Sequence, residues 1–225
     1  MRREQLMNRT RRLFGATAGV AMTEFALVMP LLCLAALGGL ELTHLTLAYL
    51  RVNDIAMKVA DNAARIRISI DESDVNQIMT GAKEMGKGID FGANGRVVLS
   101  SIEPVMNAGS PPAVVNQYLR WQRCYGANAS NSSLGVQGDG ATGVAQAGGY
   151  GSPGSAKIAA SAGNSTMLAE VFYTYQPLVS PNWFGPIEIH VQQSMPVRQR
   201  DDTVIKNGGS LATAATAACS NTHAA

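Results

Sequence analysis

Twenty-one consecutive residues, Val20 to Leu40, carry one charged side chain, Glu24, and a stretch of that composition has few environments open to it. Wound as an α-helix it spans about 32 Å, enough to cross a hydrocarbon core of about 30 Å. Met1 to Gly19 places five arginines ahead of it, Arg2, Arg3, Arg9, Arg11 and Arg12, against a single acid, Glu4. Positive charge flanking a span stays on the cytoplasmic side, so the pattern predicts a single pass through the lipid bilayer with the N-terminus inside and the rest exported.

Glu24 needs an explanation. A carboxylate within a membrane helix costs about 2.5–3.5 kcal/mol on insertion scales, so such groups are usually paired or held near an interface. It lies five residues after Gly19. Cutting the chain between Gly19 and Val20 would create an α-amino group close by, and the Glu24 of one subunit could pair with the amine of its neighbour. Three other readings stay open. The run could be an uncleaved signal anchor, a secretory signal cut near Ala36-Leu-Gly38, or a lipoprotein signal ending at Cys33, which the bulk of Leu32 disfavours.

Beyond Leu40 the apolar residues keep a helical period through Leu42, Leu45, Tyr49, Val52, Ile55, Val59, Ala63 and Ile66. One helix is predicted from Val20 to near Ile68, on the order of 70 Å long. It is apolar all round over 20–40 and has one apolar stripe over 41–70, a division suited to a span that continues as an amphipathic stalk. Pro30 should bend or locally melt it. Ala35, Ala36, Gly38 and Gly39 form a small-residue surface on which another helix could pack.

Asp71-Glu-Ser-Asp74 reads as a cap before a second helix, ended by Gly86 and Gly88. The period then changes to two, with strands expected over 96–105, 113–125, 167–175 and 187–194. In the last, Ile187, Ile189 and Val191 point inward and Glu188, His190 and Gln192 outward. Four strands after a long helix predict an α+β fold, a small antiparallel sheet laid on the helix stripe over 71–200. Residues 126–163 are dominated by Gly, Ala, Ser and Asn and are expected to form an exposed, mobile insertion. The tail over 201–225 is expected to be flexible.

The leader contributes 5 − 1 = +4 to a total charge of +2, which leaves 13 − 15 = −2 beyond it and no basic footprint for nucleic acid. Cys33 lies within the span. Cys124 and Cys219 would both face the oxidising side, where one disulfide is the simplest arrangement and two free thiols the alternative.

Gly19-Val-Ala-Met-Thr-Glu24-Phe25, followed by Ala26-Leu-Val-Met-Pro30, resembles the class III signal of prepilins, and most closely that of the TadE-like pseudopilins of the tight-adherence (Flp-type) pilus system. Glu170-Val-Phe-Tyr-Thr-Tyr-Gln-Pro-Leu178 and Met195-Pro-Val-Arg198 are similar to that family's C-terminal strands. The resemblance implies a pilin-like protein of the bacterial inner membrane with a periplasmic domain. It further implies a membrane-embedded prepilin peptidase cutting between Gly19 and Val20, with Glu24 and Phe25 marking the site. The partners it implies are other pilin or pseudopilin subunits and inner-membrane assembly proteins, with a structural role and no cofactor.

The sequence carries no catalytic constellation beside this. Gly138-Asp-Gly-Ala-Thr-Gly143 matches G-x-G-x-x-G in letters, but it neither follows a strand nor opens a helix. His44, His190 and His223 are scattered at no metal-ligand spacing. Three Asn-x-Ser/Thr triplets begin at Asn128, Asn131 and Asn164 within Ser/Asn-rich sequence. Trp121, Trp183 and Phe184 read as packing residues.

Overall fold

A computed structural model describes residues 17–141, 146–151, 156–181, 185–198, 200 and 202–220. The arginine-rich leader over 1–16, Gly143, Trp183, Phe184 and His223 lie outside them.

Helix α1, Thr17–Arg65, is 49 residues long, and Pro30 sits inside it without interrupting it. The local melting expected there does not occur. One hydrogen bond lost within a ladder of Leu, Ala and Met leaves the helix intact. Contacts divide the chain after Leu45. In the first unit the apolar stretch is exposed, with Met22, Leu27 and Leu31 among its bare side chains.

In the second unit α1 turns amphipathic. Ala48, Val52, Ile55, Ala56, Val59, Ala60 and Ala63 form a buried stripe at helical spacing. The helix ends where Arg200 donates to the carbonyls of Ala63 and Ile66, groups that have no partner inside the helix. Helix α2, Glu72–Gly86, begins as the sequence predicts. Asp71 accepts from the Ser73 amide at 2.9 Å and donates its own amide to Asp74 at 3.0 Å. The Ser73 and Gly208 amides hold the Asp71 carboxyl below its ordinary value. A 3₁₀ turn, Lys87–Ile89, and the short helix α3, Phe91–Asn94, lead into the sheet.

The sheet comprises β1 (Gly95–Met106), β2 (Val114–Tyr125), β3 (Thr166–Thr174) and β4 (Glu188–Pro196), in the order β2-β1-β3-β4 with every pair antiparallel. Val97, Leu99, Ala169, Val171, Ile189 and Val191 share the face turned to α1 and α2, where Gln193 donates to Asn53 at 2.9 Å. Arg123 reaches from that face to Glu72 in the first turn of α2, a buried, forked ion pair. Between Ser101 and Ile102 the β1/β2 register slips by one residue. That bulge turns Trp121 to the helix side and Leu119 to the other, although both are odd-numbered.

The opposite face departs from the sequence reading. Residues 126–163 were expected to lie exposed, yet Tyr150 and Ala160 are buried there with Ile102, Leu119 and Leu168, and Leu134 and Ile158 pack on the same cluster. Backbone bonds stitch the segment to β2: the Leu119 amide donates to Asp139 at 2.8 Å and the Gly138 amide to Leu119 at 2.7 Å. A few apolar side chains suffice when the backbone is satisfied along a strand edge.

The C-terminal segment is likewise tied down over its described residues. The Lys206 amide donates to Ile70 and the Cys124 amide to Ala217, while Trp121 Nε1 donates to Thr203. A disulfide joins Cys124 to Cys219.

Candidate functional site

The part of the chain least satisfied by its own fold is the first unit of α1. Gly19 and Val20 lie in continuous helix, and a side chain added at Gly19 would meet nothing. Thr23 returns its hydroxyl to the Val20 carbonyl at 2.8 Å, which occupies a polar group that would otherwise face an apolar surrounding. Glu24 and Phe25 follow on exposed positions, Phe25 at 59 %. One turn separates Val20 from Glu24, so the two positions stack on the same side of the helix.

Further along, Ala35, Ala36, Gly38 and Gly39 leave a shallow strip. No atom lies within 4 Å of where a side chain at Gly38 or Gly39 would begin, and Thr43 donates to the Gly39 carbonyl at 2.8 Å. Close approach of a second helix backbone is open there. Among the described residues one helix is long and apolar enough to cross a membrane, and none of its apolar window is buried within the chain.

Residues 19–65 match the family model described as TadE-like protein. This segment is TadE-like. Comparison with curated proteins and with solved structures returns no match. The TadE-like match starts at Gly19 and ends with the last residue of α1, so it takes in both the exposed apolar run and the buried stalk stripe. The likeness covers 47 of the 225 residues and suggests the tight-adherence pilus system, and the apolar helix fits a membrane-associated component of it.

Outside the TadE-like segment the expected bridge is formed. Cys124–Cys219 closes a separation of 95 residues and fastens the C-terminal segment to the edge of β2. Cys33 is a free, exposed thiol on the apolar helix. Trp121 is a core residue. Gly138 and Gly140 lie in turns along the β2 edge, and the last glycine of that run, Gly143, lies outside the described residues. Among the described residues no three His, Cys, Asp or Glu side chains gather as metal ligands.

One polar cluster was not legible in the sequence. Glu170, in the middle of β3, has no solvent exposure. It accepts from the Ser132 hydroxyl, the Ser133 amide at 3.1 Å, the Ser133 hydroxyl at 2.6 Å and Gln192 Nε2 at 3.1 Å. His190 Nε2 stands 3.6 Å away, its ring stacked on Phe172 with centroids 4.3 Å apart. His190 and Gln192 were read as outward; His190 is exposed and Gln192 partly so, and both also reach this carboxylate. Burial alone would raise the Glu170 carboxyl, but His190, Ser132 and Ser133 together outweigh it and hold the group below its ordinary 4.5. Both serine hydroxyls are spent on the carboxylate, so neither is presented to His190 as a nucleophile would be. The cluster fastens residues 132–133 to the sheet.

Proposed function

We propose that this protein is a minor pseudopilin, a structural or initiating subunit of the tight-adherence pilus that a prepilin peptidase cuts between Gly19 and Val20. The observation that carries the reading is the bare apolar helix within the TadE-like match, with Glu24 one turn beyond Val20. Gly19 suits the scissile position because its missing side chain leaves the backbone open to a protease. Cutting there removes the arginine-rich leader and creates a cation at Val20.

In a subunit so processed, Glu24 pairs with the Val20 amine of an adjacent subunit. Unpaired charge is expensive in lipid, so the pairing sets the register between helices. The strip over Ala35, Ala36, Gly38 and Gly39 lets those helices approach closely. The protein sits in the bacterial inner membrane with its α+β domain in the periplasm, and its partners are other pilin-type subunits and inner-membrane assembly proteins. It acts as substrate and building part rather than as catalyst.

Glu24→Ala separates processing from assembly. The variant is expected to be cut as the parent is and to fail to co-purify with the pilus subunits. The parent should be recovered with them from the same solubilised membranes. Normal recovery of cut Glu24→Ala with its partners would remove the pairing role.

A further inference from the structure

The chain treats the two edges of its sheet differently. Along the outer edge of β2 the Leu119 amide donates to Asp139, the Gly138 amide to Leu119 and the Cys124 amide to Ala217, so that edge is closed. Nothing among the described residues closes β4 in this way.

The register of β4 fixes which groups stay open. The Tyr175 amide donates to Ile187 at 2.8 Å and the Val197 amide to Ser165 at 2.9 Å, so the odd-numbered residues exchange the hydrogen bonds with β3. Glu188, His190, Gln192 and Ser194 therefore turn their amides and carbonyls outward, and none of these backbone groups is bonded among the described residues. Exposed edges are normally blunted by lysine, proline or a bulge. β4 has no lysine, no bulge in its pairing with β3, and proline only as its last residue.

A bare apolar shelf adjoins this edge. Gln193 donates to Asn53 at 2.9 Å, which brings that side of α1 against β4. Tyr49 and Met57 lie one turn before and one turn after Asn53 on the same side of the helix, 51 % and 39 % exposed.

We propose that β4 accepts an added antiparallel strand from a partner polypeptide, with apolar residues turned to Tyr49 and Met57, polar residues between them and a basic one opposite Glu188. Outward amides and carbonyls that repeat about every 6.8 Å are matched by an extended backbone, which offers the same groups at the same spacing. Antiparallel pairing is the slightly stronger kind, and every existing pair in the sheet is antiparallel. Glu188 is exposed, and an opposite charge directly across the new pair stabilises it. A second copy fits less well. Its β2 edge is covered, and its β4 would bring Ile189 and Val191, which are already buried in their own domain and would leave the shelf bare.

The test adds the fluorescein-labelled peptide Lys-Val-Thr-Val-Thr-Val-Lys amide to the full chain in nanodiscs of zwitterionic lipid and reads fluorescence anisotropy. In antiparallel pairing its lysines and threonines oppose Ser194, Gln192, His190 and Glu188 and direct their amides at β4, while the valine amides point away. N-methylation of both threonines should weaken binding about tenfold, and N-methylation of two valines should leave it unchanged. Ser194→Pro removes one outward amide and sets a ring in its place, so it should weaken binding to the same degree at an unaltered melting temperature. The methylated peptides leave the protein untouched, so their contrast stands apart from any effect on folding. Absence of saturable binding overturns the proposal, as does equal loss with both methylated peptides or loss confined to the valine-methylated one. A dimer in detergent that Ser194→Pro splits also overturns it, by assigning the edge to a second copy.

Discussion

A chain carrying Cys124→Ser and Cys219→Ser together is expected to unfold about 10–15 °C below the parent in the same detergent. The bridge closes a separation of 95 residues. On the chain-entropy account, cross-linking a loop of that length stabilises by about 4–5 kcal/mol. In a domain of this size each kcal/mol moves the midpoint by about 2–4 °C. The effect should be felt first at the β2 edge, where the Cys124 amide bonds to Ala217 and Arg96 donates to the Cys219 carbonyl at 3.1 Å. Scanning calorimetry with limited proteolysis checks both parts. Unchanged midpoints would mean that the noncovalent ties of the C-terminal segment suffice without the bridge.

Glu170→Leu should produce a loss of similar kind on the opposite face of the sheet. The carboxylate is fully buried and satisfies Ser132, Ser133 and Gln192. Removing it leaves those donors facing an apolar side chain. Losses of about 3 kcal/mol are typical when one member of a buried charged network is deleted. The 126–163 segment should become the earliest site of proteolysis, and Glu170→Gln, which retains one acceptor oxygen, should lose less.

The same group predicts an acid limit. Its folded value lies below the ordinary 4.5, so the unfolded chain takes up the proton first as pH falls. The contribution is therefore complete above about pH 4.5 and is lost as pH falls through the lower folded value. Denaturant midpoints measured from pH 6 to pH 3 should fall more steeply for the parent than for Glu170→Leu, and parallel curves would count against this role.

The long helix, the Asp71 cap and the four strands were readable in advance because each rests on a local pattern. Strand limits shifted by only one or two residues, from 96–105 to Gly95–Met106 and from 187–194 to Glu188–Pro196. What stayed hidden depends on residues far apart in the chain. Glu170 looked like one polar letter in an apolar strand, and its serine partners lie 37 and 38 positions earlier. Tyr150 meets Leu119 and Leu168 only after the 126–163 segment folds back over the sheet, which its small, polar composition concealed. The β1/β2 bulge has no signal in the alternation, since Leu119 and Trp121 share a parity yet occupy opposite faces. In the TadE-like segment the apolar run and the Gly19 to Glu24 spacing were plain in the sequence, because lipid imposes its requirement on composition directly.

The claim on which assembly depends is that the subunit begins at Val20, and intact mass with N-terminal sequencing of the protein taken from its native membrane tests it most directly. A mature chain starting Val20-Ala-Met-Thr-Glu24 is the expected result. A chain still carrying Arg2 to Arg12 would contradict it, and would make the protein a permanently anchored module whose Glu24 never meets a newly formed amine.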